Sequence, residues 1–466
     1  MALKSTRRII YGAIIHPLSL REYQASNEAL IAIDDKGIIQ WLEVGVDNHR
    51  VQDVVAAKGW SLDDVDFVEL KPGQWIMPGF VDTHTHAPQY PNLGAGQEYE
   101  LLDWLTNLTF PTEAKFADLE YALSTYTAVV QTVINHGTTT CCYYGTLHLE
   151  ATKILADVTY KKGQRAFVGK CNMDRNSAET YQEKSPEDSL RDTRTLVDYI
   201  KSLQSESPLV HPILTPRFAI SCSAALLAGL GEIAARDPEL AIQTHISENA
   251  AEIAFTQKLF PDCPHYAGVY DTFGLLRKKT ILAHGVHLGE DELELIKAKG
   301  AGISHCPTSN FNIRSGMANV GDMLDKGIKV GLGTDVSGGY SASMLTAVQH
   351  ASICSKMVSL KSSPTSPSPD TGFTAKQLPI PTLLYLATLG GADLCGLKDT
   401  VGNFSPGKEF DAILVDMRGF NVDKCIPPLE QSLEKFLFCG DNRNISLVWV
   451  RNSVVGGSEY RTGNTL

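Results

Sequence analysis

The feature that most constrains this chain is a series of eight short apolar segments of strand length, most of them followed by helix-patterned sequence. They are Ile76–Val81, Thr138–Tyr144, Arg165–Cys171, Val210–Pro216, Ala241–Thr244, Thr280–Ala283, Ala301–His305 and Ile328–Gly333. Helical patterns over Phe116–Asn135, Ala224–Ala235, Ala250–Leu259 and Asp291–Lys299 fall between them or in their wake. Eight strand–helix units over roughly 250–320 residues predict an α/β fold, a (β/α)8 TIM-like barrel with parallel strands inside and helices outside. Sequence of β type lies at both ends of the chain. Ile9–Ile15, Leu30–Ile33 and Ile38–Val44 read as strands, the last two joined by a hairpin turn over Asp34–Gly37, and Asp411–Val415 and Ser446–Val455 read likewise. The 466 residues exceed what one core usually serves. The expected division is therefore a barrel over 77–400 and a small β-sandwich built from 1–76 and 401–466. The Ser/Pro-rich stretch Ser359–Asp370 is expected to be a mobile surface loop.

The chemistry-bearing residues gather at the ends of these strands. His84 and His86 close the first strand in Pro78–His86. Strand side chains alternate, so positions two apart share a face, and two imidazoles on the lumen face can meet one zinc ion. His245 and Glu248 follow the fifth strand, His284 ends the sixth and Asp335 ends the eighth. His245 can complete a three-histidine set. Glu248 is a candidate general acid/base, although a carboxylate before a helix is also what the helix dipole favours. Asp335 follows Gly331 and Gly333, which permit close backbone approach, and suits a metal ligand that also accepts a proton. Each residue alone has an ordinary structural explanation. Six of them on the C-terminal ends of strands one, five, six and eight do not, because that rim is where barrel active sites lie. His305, ending strand seven, fits a pocket or a structural role equally. His136 reads as a helix C-terminal residue, and His211, His265, His287 and His350 as structural.

Composition narrows the alternatives. A formal net charge of −12 disfavours a grip on nucleic acid or on an anionic membrane. No uncharged stretch reaches the ~18–20 residues of a membrane span, and the N-terminus shows no signal-peptide core. The ten cysteines form no C-x-x-C pair, so buried free thiols in a reducing, cytoplasmic setting are expected. Neither phosphate-binding glycine motif occurs, nor a G-x-S-x-G elbow. The compact zinc-deaminase fold is disfavoured because no P-C-x-x-C accompanies an H-x-E.

The set Pro78–His86, His245, His284 and Gly333–Asp335 resembles the amidohydrolase superfamily from the first strands to the last. Longer stretches are similar to the guanine-deaminating branch of that superfamily. They include Val81–Tyr90, Trp104–Pro111, Asn135–Thr140, Gly163–Lys170, Thr215–Phe218, His245–Asn249, Gly331–Tyr340 and Gly407–Asp411. The resemblance implies one zinc ion per subunit held by His84, His86, His245 and Asp335, with Glu248 and His284 acting beside the attacking water. It implies that Gln89, Arg217 and Phe218 contact guanine, with His86, His245, Glu248 and Asp335 also facing the substrate. It further implies a homodimer. The competing readings are a relative acting on another purine or triazine-like heterocycle, and a barrel kept as a non-catalytic scaffold.

Overall fold

The computed structural model describes residues 7–203, 207–361, 372–418 and 427–460. Its centre is a barrel of eight parallel strands: Phe80–His86, Thr138–Tyr144, Arg165–Gly169, Val210–Pro216, Ala241–Ile246, Thr280–His284, Gly302–His305 and Lys329–Leu332. The ladder runs in sequence order around the barrel. First and last strands meet through scattered bonds. Asp335 N donates to His84 O at 2.9 Å, and His86 N donates to Val336 O at 3.1 Å. Thr83 Oγ1 donates to Leu332 O at 2.9 Å. Gly331 is required at this seam, since a Cβ there would lie 2.7 Å from the Thr83 side chain. Alternation divides the strand side chains between two cores: Tyr143, Val168, Leu214, Ile242, Leu282 and Val330 join the large core shared with the helices, while Val81, Cys142, Phe167, Ile213, Ala241 and Ile281 form a separate one.

The strands of the end segments are joined edge to edge in one mixed sheet of eight. Its order is Ser453–Gly456, Ile445–Val450, Ala412–Asp416, Gln74–Pro78, Arg8–Pro17, Tyr23–Ile33 and Ile39–Val44, with Asp66–Glu69 parallel to Arg8–Pro17. Alternation divides its side chains. Ile10, Ile14, Ile31 and Ile33 join one core with Phe410 and Trp449, while Ile9, Tyr11, Leu30 and Ala32 join another with Trp41 and Val55. The turn over Asp34–Gly37 forms as expected, with Gly37 at φ 82° and its N–H donating to Asp34 O at 3.1 Å.

Several boundaries differ from the sequence reading. The apolar run Ile76–Val81 is divided between the end sheet and the first barrel strand, and Gly79 marks the break. A Cβ at Gly79 would stand 2.2 Å from Thr139 Cγ2, so the chain crosses there on bare backbone. Arg165–Cys171 is interrupted at Lys170, whose ammonium turns inward to the buried Glu183. The helix anticipated from Phe116 starts at Leu119, because Asp118 caps it by accepting from Glu120 N at 2.9 Å. Ser446–Val455 is a hairpin rather than one strand, turning at Arg451 and Asn452 with φ 48° and 64°. Ser359–Lys361 close the helix Met344–Lys361, and the rest of the Ser/Pro-rich stretch lies outside the described residues. No helix among the described residues is long and apolar enough to cross a membrane. The nine described cysteines are free, and eight of them are buried.

Candidate active site

The barrel geometry brings the predicted residues to one mouth. His84 and His86 point inward from the first strand, and their rings stand 5.0 Å apart at 86°. His245 comes from the fifth strand and His284 from the sixth, their rings stacked at 5.4 Å. Asp335 follows the eighth. His84 Nε2 and His86 Nε2 lie 3.4 and 3.5 Å from Asp335 Oδ1, and His284 Nε2 lies 3.8 Å from Oδ2. His86 Nε2 and His245 Nε2 are 3.0 Å apart.

The tautomers follow from the supporting bonds. His245 Nδ1–H donates to the backbone oxygen of Arg217, leaving its Nε2 lone pair for the centre. His284 Nδ1 donates to Asn310 Oδ1 at 2.9 Å, with the same effect. Burial, reinforced by neighbouring histidines, pushes the imidazoles of His86 and His245 well down, so both are neutral. Burial alone would raise Asp335, but His84, His284 and His86 outweigh it and hold the carboxyl well below its usual range.

This donor set fits a metal ion. His84 Nε2 and His284 Nε2 are buried without a hydrogen-bond partner among the described residues. Two imidazole lone pairs 3.0 Å apart repel unless a proton or cation lies between them. Among the described residues His84, His245, His284 and Asp335 place one ligand atom each within 4.8 Å of one another. His86 stands against the same cluster, so five side chains converge where the sequence suggested four ligands.

Glu248 is buried beside this cluster, 3.3 Å from His284 Nε2, and its Oε1 accepts from Ser315 Oγ at 3.0 Å. Burial first, then Asp335 and Glu252, push its carboxyl well above the usual range, which favours the protonated form. Behind His84, Asp82 accepts from the His84 and Thr334 backbone N–H groups and from the Thr334 hydroxyl. Burial nevertheless carries it up to about 6.

A narrow cavity opens over the cluster. Gln89, Arg217 and Phe218 line it together with His86, His245, Glu248, His284 and Asp335. Its outer wall is apolar. Leu101 and Trp104 belong to a short helix, Leu105 opens the π-helical turn Leu105–Thr109, and Ile313 faces them. Phe218 stands edge-on to His245 at 6.4 Å. Glu113, Asn310, Asp82 and Ser315 were not singled out from the sequence. Apart from the Asp82–His84 bond, their partners are distant along the chain, so no local pattern announces them. His305 is buried at the end of its strand and does not line the cavity.

The amidohydrolase family model matches residues 75–457. The chain is 43% identical over 458 residues to a Schizosaccharomyces pombe protein named "Probable guanine deaminase", covering 97% of this chain and 84% of that one. It is 40% identical over 449 residues to the guanine deaminase of Mus musculus, covering 95% of each. Among solved structures, guanine deaminase from C. acetobutylicum with guanine bound in its active site superposes with a TM-score of 0.85 at 34% identity, covering 96% of this chain and 99% of that one.

Proposed function

The chain belongs to the amidohydrolase family, and from that premise we propose that it hydrolyses guanine to xanthine and ammonia. The observation that carries this reading is the meeting, in one cavity, of the imidazole–carboxylate cluster with Gln89, Arg217 and Phe218. The enzyme is a hydrolase of C–N bonds and its centre is of metal-binding type. His84, His86, His245 and Asp335 would hold one zinc ion per subunit. When bound, zinc supplies Lewis acidity that brings the pKa of water from about 16 toward ~7.

The remaining work falls to side chains. Asp335, kept anionic, accepts the first proton of the attacking water as its oxygen bonds to C2 of guanine. Attack pushes electron density onto ring N3, and the protonated Glu248 delivers its proton there. Asp335 then passes its proton to the exocyclic amine while the C2–N bond breaks. The proton of the new hydroxyl restores Glu248, leaving xanthine and ammonia. His284 hydrogen-bonds the reacting oxygen. Positioned proton transfer of this kind contributes about 10²–10⁴-fold. Arg217 provides a donor to the C6 carbonyl, and Gln89 serves the ring edge with both a donor and an acceptor. Phe218 packs on the purine. Adenine sets an amino donor against Arg217, and mismatches of this kind are rejected by about 10⁴-fold. The same reading includes a homodimer in the cytoplasm.

Ultraviolet absorbance following guanine conversion, with and without a chelator, tests this function. Turnover abolished by chelation and restored by zinc is expected. Ammonia release from another heterocycle but none from guanine would reject the substrate.

A further inference from the structure

Two of the side chains that face the substrate are held by a third group that the cavity does not touch. Glu113 lies in the short helix Phe110–Ala114, is fully buried, and does not line the cavity. Its Oε2 accepts from Arg217 Nη1 at 2.7 Å, and its Oε1 accepts from Arg217 Nη2 at 3.1 Å and from Gln89 Nε2 at 2.8 Å. At the other end of the same amide, Gln89 Oε1 accepts from the backbone N–H of Ser337 at 3.1 Å.

This leaves Gln89 one orientation. A carboxylate accepts only from the NH2 group, and a backbone N–H donates only to the carbonyl oxygen. One amide hydrogen and one carbonyl lone pair remain for a ligand. The two-pronged bond to Glu113 also fixes the plane of the guanidinium, which stands 5.2 Å from the centre of the Phe110 ring. The carboxylate cancels the cation it holds. The wall therefore presents an oriented donor–acceptor edge without net charge.

Building on the guanine reading, we propose that Glu113 is a positioning residue that sets specificity. Through Gln89 and Arg217 it selects a neutral purine over an ionised one. Xanthine, the more acidic purine, is the natural probe of that selection.

The variant Glu113→Gln keeps the shape, removes the charge and frees the Gln89 amide to turn over. With zinc content unchanged, KM for guanine should rise about 10- to 100-fold, as for loss of a buried charge-assisted hydrogen bond, while kcat stays within about threefold. Inhibition by xanthine at mildly alkaline pH should strengthen relative to guanine binding. Glu113→Asp retains the charge and should recover part of the loss. A purely structural role would lower the folded, zinc-loaded fraction and leave the KM of that fraction and its xanthine inhibition as in the native enzyme. That result overturns the inference. If Glu113→Gln does not accumulate as folded protein, Glu113→Asp carries the test. A raised KM at constant kcat supports the inference, and an unchanged KM overturns it. A native enzyme inert toward guanine overturns the substrate reading and this inference with it. An active native enzyme with unaltered Glu113 variants overturns this inference alone.

Discussion

His284 and Asp335 deliver their side chains from left-handed backbone, at φ 75° and 47°, and Ser247 beside them stands at 46°. Such conformations cost about 1–3 kcal/mol each and persist where the surroundings over-determine them. The Asn310 bond to His284 and the Asp335–His84 backbone bond are part of that determination. Glu248 has no direct bond to Asp335, so its exchange should disturb chemistry more than metal binding. Glu248→Gln is expected to keep its zinc and lose about 10²–10⁴-fold in kcat, read by ammonia release against metal content; full activity would remove the proton-transfer role. His305 supplies a stability test. Burial, with His284 adding to it, lowers its imidazole to about 3, against an ordinary ~6.5. The unfolded chain then takes up the proton first as pH falls. Stability is lost from about pH 6.5 down to about 3 and changes no further from this group below that. Denaturation midpoints of His305→Gln should fall less steeply across this window than those of the native protein, and parallel profiles would contradict the shift. The residues legible in sequence were those whose spacing matters, such as His84 and His86 on one strand face. Glu113 was not, because its partners stand 24 and 104 positions away.

At the scale of elements, the loop that carries Glu248 is pinned by the helix after it. Asn249 caps Ala250–Leu259, and Glu252 Oε2 accepts from the N–H groups of Glu248 and Asn249 at 2.9 and 3.1 Å. Tyr266 donates to the other oxygen at 2.7 Å. Glu252→Ala strands a buried hydroxyl and two backbone donors. It should cost about 1–3 kcal/mol for each buried group left unsatisfied, seen as a lower Tm, and should reduce kcat because Glu248 loses its anchor. An unchanged Tm and kcat would show that the loop is held otherwise. The helix itself was readable from its apolar pattern. The break inside the continuous apolar run at Gly79 was not, since Pro78 and Phe80 on either side of it are both buried. Periodicity reports burial, and burial does not change where the chain passes from one sheet to the next.

At the scale of the molecule, barrel and end sheet are fastened by a buried ionic junction. Arg165, opening the third barrel strand, donates to Asp411 Oδ2 at 2.9 Å and to Glu409 Oε2 at 2.5 Å, and Arg451 donates to Glu409 at 2.8 Å. Arg165→Met leaves Asp411 buried without its counter-charge. Its expected cost is about 3–5 kcal/mol, measured by denaturant unfolding; a loss below 1 kcal/mol would mean that water or Arg451 compensates. The barrel was legible as eight units. The sheet's strand order was not, because Gln74–Pro78 lies between partners from opposite ends of the chain.

That interleaving sets a timetable for biosynthesis. Gln74–Pro78 emerges early from the ribosome, while its neighbour Ala412–Asp416 follows roughly 330 residues later. At ~5–20 residues per second the interval is about 15–70 s. Throughout it the nascent sheet carries an unpaired apolar edge of the kind that other chains can add to. The finished fold shows nothing of this interval.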